Sequence, residues 1–126
     1  MNNTIIAVDP SGSYRLYLAI TTEMVQEAKD IHGATNLAAA ALGRVLTAAG
    51  LMGLMLKDEK STLTVQVKGD GPAAEILASA DGRGRVKGYI ADPDVELPLK
   101  ADGKLDVGGA VGNGTLTVIK DLKLKE

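Results

Sequence analysis

The sequence predicts an α+β fold: an N-terminal β-hairpin, two helices of which the second is long and buried, then a largely antiparallel run of strands forming a sheet on the helices. Three observations predict it. Short alternating runs open the chain, a nearly all-apolar stretch follows at 37–56, and β-patterned runs separated by turn residues fill most of the remainder. Helical and strand patterns are segregated along the chain, which disfavours a doubly wound parallel sheet.

Thr4–Val8 is a short β-rich run that stops at Asp9-Pro10-Ser11-Gly12, where Pro10 fixes φ and Gly12 tolerates a left-handed conformation. Tyr14–Ile20 alternates, with Tyr14, Leu16, Leu18 and Ile20 on one face and Arg15, Tyr17 and Ala19 on the other. The two runs form a hairpin whose apolar face needs a surface to cover.

Thr22 is placed to cap a helix running to about His32, with Glu23 in its first turn and Gly33 as the residue after it. Met24, Val25, Ala28 and Ile31 make its apolar stripe. Thr35 or Asn36 caps the second helix, Leu37 to about Leu56, which is apolar on nearly every side and ends in Lys57-Asp58-Glu59-Lys60. It is long enough to span a bilayer. Arg44 in its middle third opposes that, at about 2.5–3.5 kcal/mol for a central arginine. The expected role is a central helix covered on both sides, with Arg44 reaching solvent along its stem or meeting a carboxylate such as Asp106 or Asp121.

Thr62–Lys68 turns Leu63, Val65 and Val67 to one face. Gly69-Asp70-Gly71-Pro72 is a turn. Ile76–Ala80 and Arg85–Ala91 flank Asp81-Gly82-Arg83-Gly84 as a second hairpin, and Asp92-Pro93-Asp94 ends it. Val95–Leu99 reads as a short strand or extended loop. Thr115–Lys120 is the last strand, with Leu116 and Val118 facing opposite to Thr117 and Ile119.

Composition narrows the function. Fourteen basic and 16 acidic side chains show no basic cluster, and only three tyrosines are available for stacking, so nucleic acid is not expected as a partner. There is no cysteine, so thiolate metal sites are not expected in this chain, and cysteine-free composition fits a cytoplasmic location. His32 is the single histidine and has no ligating partner at defined spacing. The glycine-rich run from Val107 to Gly114 leads into a strand rather than a helix and lacks a following lysine, so a tight or bulged connection between strands is expected, not a phosphate cradle. No nucleophile elbow is present, and no catalytic residue is assigned.

Four collinear segments carry a resemblance. Ala41-Leu42-Gly43-Arg44-Val45-Leu46-Thr47-Ala48-Ala49 with Leu51–Lys57, Val67-Lys68-Gly69-Asp70-Gly71-Pro72, and Lys104–Gly112 with Leu116–Leu122 resemble segments of the heat-shock protein thirty-three family, and Arg85–Ile90 is a weaker fourth match. The family often has proline where the long helix begins, and this chain has Leu37, a replaceable feature at a first helical position.

The resemblance implies a non-enzymatic, ATP-independent holdase chaperone of the stress response that binds unfolding client proteins through apolar surface. It implies that residues 1–126 are the N-terminal portion of the core domain, without the family's linker region and its C-terminal redox-switch domain, where four cysteines hold zinc. No cofactor is expected in this chain, since those cysteines are not in it, and no membrane is expected as a partner. Homodimerisation is implied as well, and the alternative reading is a structural or dimerisation module without client binding of its own. Met52, Met55 and Leu56 are the candidate client contacts, because methionine adapts to varied partners, against the simpler reading that all three are core.

Overall fold

A computed structural model describes residues 3–124. The element order is β1 (Thr4–Val8), β2 (Arg15–Ala19), α1 (Thr22–His32), α2 (Asn36–Gly53), β3 (Thr62–Gly69), β4 (Glu75–Asp81), β5 (Val86–Ile90), α3 (Val107–Val111) and β6 (Gly114–Asp121). The expected α+β arrangement is therefore present. β1 and β2 form a separate two-stranded antiparallel ribbon, and the other strands form an antiparallel sheet in the order β5-β4-β3-β6. Val95–Leu99 belongs to no strand.

The core lies between the sheet and α2. Leu37, Leu42, Leu46 and Ala49 of α2 are buried against Leu63 and Val65 of β3, Ile76, Ala78 and Ala80 of β4, and Ile90 of β5. No aromatic side chain is in this cluster, so close backbone approach supplies the packing density. Gly88 of β5 shows how: a Cβ there would sit 3.1 Å from Leu46 Cδ2.

The helix ends follow local rules with one shift. Thr21, not Thr22, occupies the cap position of α1, and its hydroxyl makes no capping bond. It instead shares a 2.8 Å hydrogen bond with the Thr47 hydroxyl, tying the start of α1 to α2. Gly33 closes α1 with φ +58°, a left-handed value suited to glycine. Thr35 caps α2: its Oγ1 accepts from the Ala38 N–H at 3.1 Å and donates to the Val95 carbonyl at 2.7 Å. One side chain thus orders both the helix start and the extended 95–99 segment.

Helix α2 stops at Gly53, three residues before the expected end, because Met55 and Leu56 turn back on Met52 and Gly53 through short backbone bonds. It is long and apolar enough to cross a membrane, yet 56% of that window is buried in the fold. Helix α2 is long and largely buried as expected, with α1 and α3 packed on it as well as the sheet. The sheet covers one side, whereas Arg44 and Ala48 face solvent. Of the two outcomes open to Arg44, exposure is the one realised, and it makes no ion pair among the described residues.

The glycine-rich run also differs from expectation. Val107–Val111 is a short helix whose Asp106 carboxylate accepts from the Gly109 N–H at 2.9 Å. It docks on the β3–β4 turn: Gly71 N–H donates to Val111 O at 2.9 Å, Ala73 N–H to Ala110 O at 2.8 Å, and Asp70 N–H to Asn113 O at 2.9 Å. Gly112, at φ +75°, then redirects the chain into β6. The run was unreadable as a helix because glycine is a poor helix former; tertiary hydrogen bonds decide here.

Candidate functional site

Among the described residues, no group of three or more His, Asp or Glu side chains comes together as a metal ligand set. Among the same residues, no buried side-chain polar atom lacks a hydrogen-bond partner. Exposed apolar side chains are spread over the surface, and three groupings of apolar residues stand out.

The first is the β1–β2 ribbon. Its register pairs Ile5 with Leu18 and Ala7 with Leu16, which puts these four on one face, and Ile6 with Tyr17 on the other. Leu16 and Leu18 are 48% and 51% exposed, and Ile5, Ile6 and Val8 are exposed as well. The expected covering of the Leu16–Leu18 face is not found among the described residues. Tyr17 and Ala19 are the half-buried residues of β2, so the ribbon turns its less apolar side inward. A ribbon of two strands has no second layer of its own, and this one is left open.

The ribbon's turn is internally hydrogen-bonded nonetheless. Asp9 accepts hydrogen bonds from the Ser11 hydroxyl and from the Ser13 N–H at 3.3 Å, while its own N–H donates to Tyr14 O at 3.0 Å. The Ser11 hydroxyl is the largest influence that holds the Asp9 carboxyl below its ordinary range, against a weaker opposing effect of burial.

The second place is β6. It pairs with β3 alone, and every residue from Gly114 to Asp121 is exposed. The register sets Leu116 opposite Val67 and Val118 opposite Val65, so both share the helix side of the sheet. Val65 is covered by α2, whereas Leu116 is 64% exposed and Ile119 is open on the reverse face. The outer edge of β6 has no neighbouring strand among the described residues.

The third is a trough between α1 and α2, of about 570 Å³, lined in part by Val25, Ala40, Ala48 and Leu51. Gly43 sets its depth: a Cβ there would lie 2.6 Å from Val25 Cγ1, so only glycine lets α1 come this close.

The sequence-predicted contacts lie elsewhere. Met52 is in the last turn of α2, and Met52 and Leu56 pack half-buried on the core. Met55 alone of the three is well exposed, at 55%. Sequence reading passed over Ile5, Ile6, Leu16 and Leu18 as exposed groups. A signal was available: Ile5-Ile6-Ala7-Val8 has no polar face, so pairing it with a single strand must leave apolar surface open.

A profile of the Hsp33 protein family matches residues 2–126. The chain is 52% identical over 120 residues to the 33 kDa chaperonin of Acetivibrio thermocellus, covering 95% of this chain and 40% of that protein. It is 53% identical over 123 residues to the 33 kDa chaperonin of Clostridium tetani, covering 97% and 42%. The crystal structure of the 33 kDa chaperonin (heat shock protein 33 homolog) of Thermotoga maritima matches with a TM-score of 0.89 at 38% identity, over 95% of this chain and 41% of that one. The chain thus spans about two-fifths of the length of the relatives it matches. With the profile covering nearly every residue and the fold shared at this level, the chain belongs to the Hsp33 protein family.

Proposed function

We propose that this chain is the N-terminal portion of the core domain of an ATP-independent holdase chaperone, and that it holds unfolding proteins by apolar contact without catalysing a reaction. The observation that carries the reading is the concentration of large exposed apolar side chains on three strands with little cover, Ile5, Leu16 and Leu18 on the β1–β2 ribbon and Leu116 and Ile119 on β6. Exposed apolar clusters of this kind serve association rather than solubility. The names of the relatives, 33 kDa chaperonins, support the same reading.

In this reading the clients are unfolded proteins in the cytoplasm, and neither nucleic acid nor membrane is a partner. Redox regulation and zinc belong to cysteine-bearing sequence that these 126 residues do not include. Met52, Met55 and Leu56 remain candidate client contacts, with Met55 the most accessible. Light scattering of a thermally unfolding client, with and without the chain, tests the proposal. Suppression that weakens in Leu16→Ser/Leu18→Ser supports it; undiminished client aggregation in the presence of the wild-type chain sinks it.

A second reading is favoured by the outer edge of β6, which has no neighbouring strand among the described residues and can template another strand. Here the chain is a structural and dimerisation module. A homodimer in sedimentation together with no suppression of aggregation selects it.

A further inference from the structure

Asn113 stands between α3 and β6, at the joint where the β3–β4 turn holds the last strand. Gly114, the first residue of β6, follows it, and this is the one Asn-Gly pair in the sequence. The other asparagines precede Asn3, Thr4 and Leu37, whose side chains crowd the backbone nitrogen between them. Asn36 is held further, in the first position of α2, with its amide oxygen accepting from Lys29 Nζ at 2.7 Å. Asn113 is exposed, and its side-chain amide makes no hydrogen bond among the described residues.

The nitrogen beside that amide is not held by β3. Asp70 N–H donates to Asn113 O at 2.9 Å and Asn113 N–H to the Asp70 carboxylate at 2.8 Å, so 70 and 113 face each other as a bonded pair. Gly69 and Gly114 are the next pair in the register, and alternation makes them the non-bonded one. The Gly114 N–H therefore points away from β3, with no Cβ to shield it. A side chain at 114 is not tolerated, because its Cβ would run into the Lys68 carbonyl. The fold thus requires, next to an exposed asparagine, the residue that hinders attack on it least.

We propose that Asn113 is a site of spontaneous deamidation and isoaspartate formation, gated by the Asp70 hydrogen bonds. The Gly114 nitrogen gives its proton to solvent base and attacks Asn113 Cγ. The N–Cγ bond forms, the Cγ–Nδ2 bond breaks, and the amide nitrogen leaves as ammonia with a proton from solvent. Water then opens the five-membered ring at either carbonyl. Opening at Cγ leaves aspartate; opening at the former main-chain carbonyl leaves isoaspartate. Ring closure turns the Asn113–Gly114 peptide, so Asn113 O must first leave the Asp70 N–H. Isoaspartate lengthens the main chain by a methylene just before the Lys68–Thr115 pair, and either product sets a new carboxylate near that of Asp70. Both weaken the seat of β6, whether that strand meets a client or a second copy.

The test incubates the 126-residue chain at mildly alkaline pH beside a free Gly-Asn-Gly-Thr peptide, followed by mass spectrometry of tryptic fragments. Fragment 105–120 contains Asn113 as its only asparagine, and fragment 30–44 contains Asn36. The first should gain the mass of an amide-to-acid conversion and separate into two products, while the second stays unchanged. Asp70→Ala should convert about tenfold faster than wild type, since opening of the bonded pair sets the rate. Wild-type chain unfolded in urea should match the free peptide, which gives the same comparison if Asp70→Ala does not fold. Converted chain should unfold at lower urea than fresh chain. No conversion in the folded chain long after the free peptide is fully converted overturns the proposal. So do equal rates in wild type, Asp70→Ala and urea, because Asp70 then gates nothing. An unchanged urea midpoint after conversion sinks the effect on β6.

Discussion

The Asp70 carboxylate accepts a hydrogen bond from the Asn113 N–H at 2.8 Å, and through it the β3–β4 turn holds the entry to β6. Gly112 makes the contact feasible, since a Cβ there would lie 2.6 Å from the Gly71 nitrogen. Asp70, Gly71 and Gly112 come from two of the segments by which the sequence resembles its family. Asp70→Ala should destabilise the chain by about 1.5 kcal/mol, the low end of the range for a hydrogen bond to a charged group, because this bond is exposed. Gly112→Ala should be worse than Asp70→Ala, because it adds backbone strain to the clash. Urea unfolding at neutral pH measures both.

Leu46 is 3% exposed and sits at the centre of the helix–sheet contact, in the space that Gly88 leaves. Leu46→Ala should cost about 2–5 kcal/mol. Amide exchange should find residues 42–50 among the last to open, with the β1–β2 ribbon among the first. Early opening of the α2 centre while β3 and β4 stay closed contradicts the central role given to this helix.

Asp58 gives the fold a defined acid sensitivity. Its carboxylate accepts from Lys60 N–H at 2.8 Å, Ser61 N–H at 2.8 Å and Ser61 Oγ at 2.7 Å, and Ser61 is buried. The Ser61 hydroxyl is the largest of the influences that lower the Asp58 pKa. A carboxyl whose pKa is lower folded than unfolded adds stability above the unfolded pKa, of about 3.9, and loses it as pH falls through the folded value. Denaturant midpoints should therefore fall below about pH 4, and Asp58→Ala should be destabilised at neutral pH with a shallower acid decline. Equal acid slopes in the two proteins refute this role.

Oxidation should discriminate among the methionines by exposure. Met55 is 55% exposed and Met52 is half-buried, so mild peroxide should convert Met55 to the sulfoxide first. With no cysteine in the sequence, no rapid change reversible by dithiothreitol should accompany it. Peptide mapping by mass spectrometry and circular dichroism follow the two effects.

Purified, tag-free chain should carry far less than one zinc per molecule, as measured by elemental analysis. The sequence has no cysteine and one histidine, and structural zinc takes four ligands drawn mostly from those two residue types.

By itself the sequence determined the two-stranded ribbon, the two longer helices and the four sheet strands, in their order. Period-two runs became strands, Thr35 capped the long helix, and the Gly33 and Asp81–Gly84 signals became a helix end and a hairpin turn. These are local matters of φ preference, capping and alternation, which a short window of residues contains. Tertiary structure alone decided which apolar faces are covered. Leu63 and Leu16 sit in equally regular alternating runs, yet α2 lies over Leu63 and nothing among the described residues lies over Leu16. The helical state of the Val107–Val111 run was decided the same way, by hydrogen bonds to a turn some 40 residues earlier. Burial depends on which layers stack, a long-range outcome that alternation demands but does not assign. The candidate surfaces of this protein are the places where that demand goes unmet within these residues.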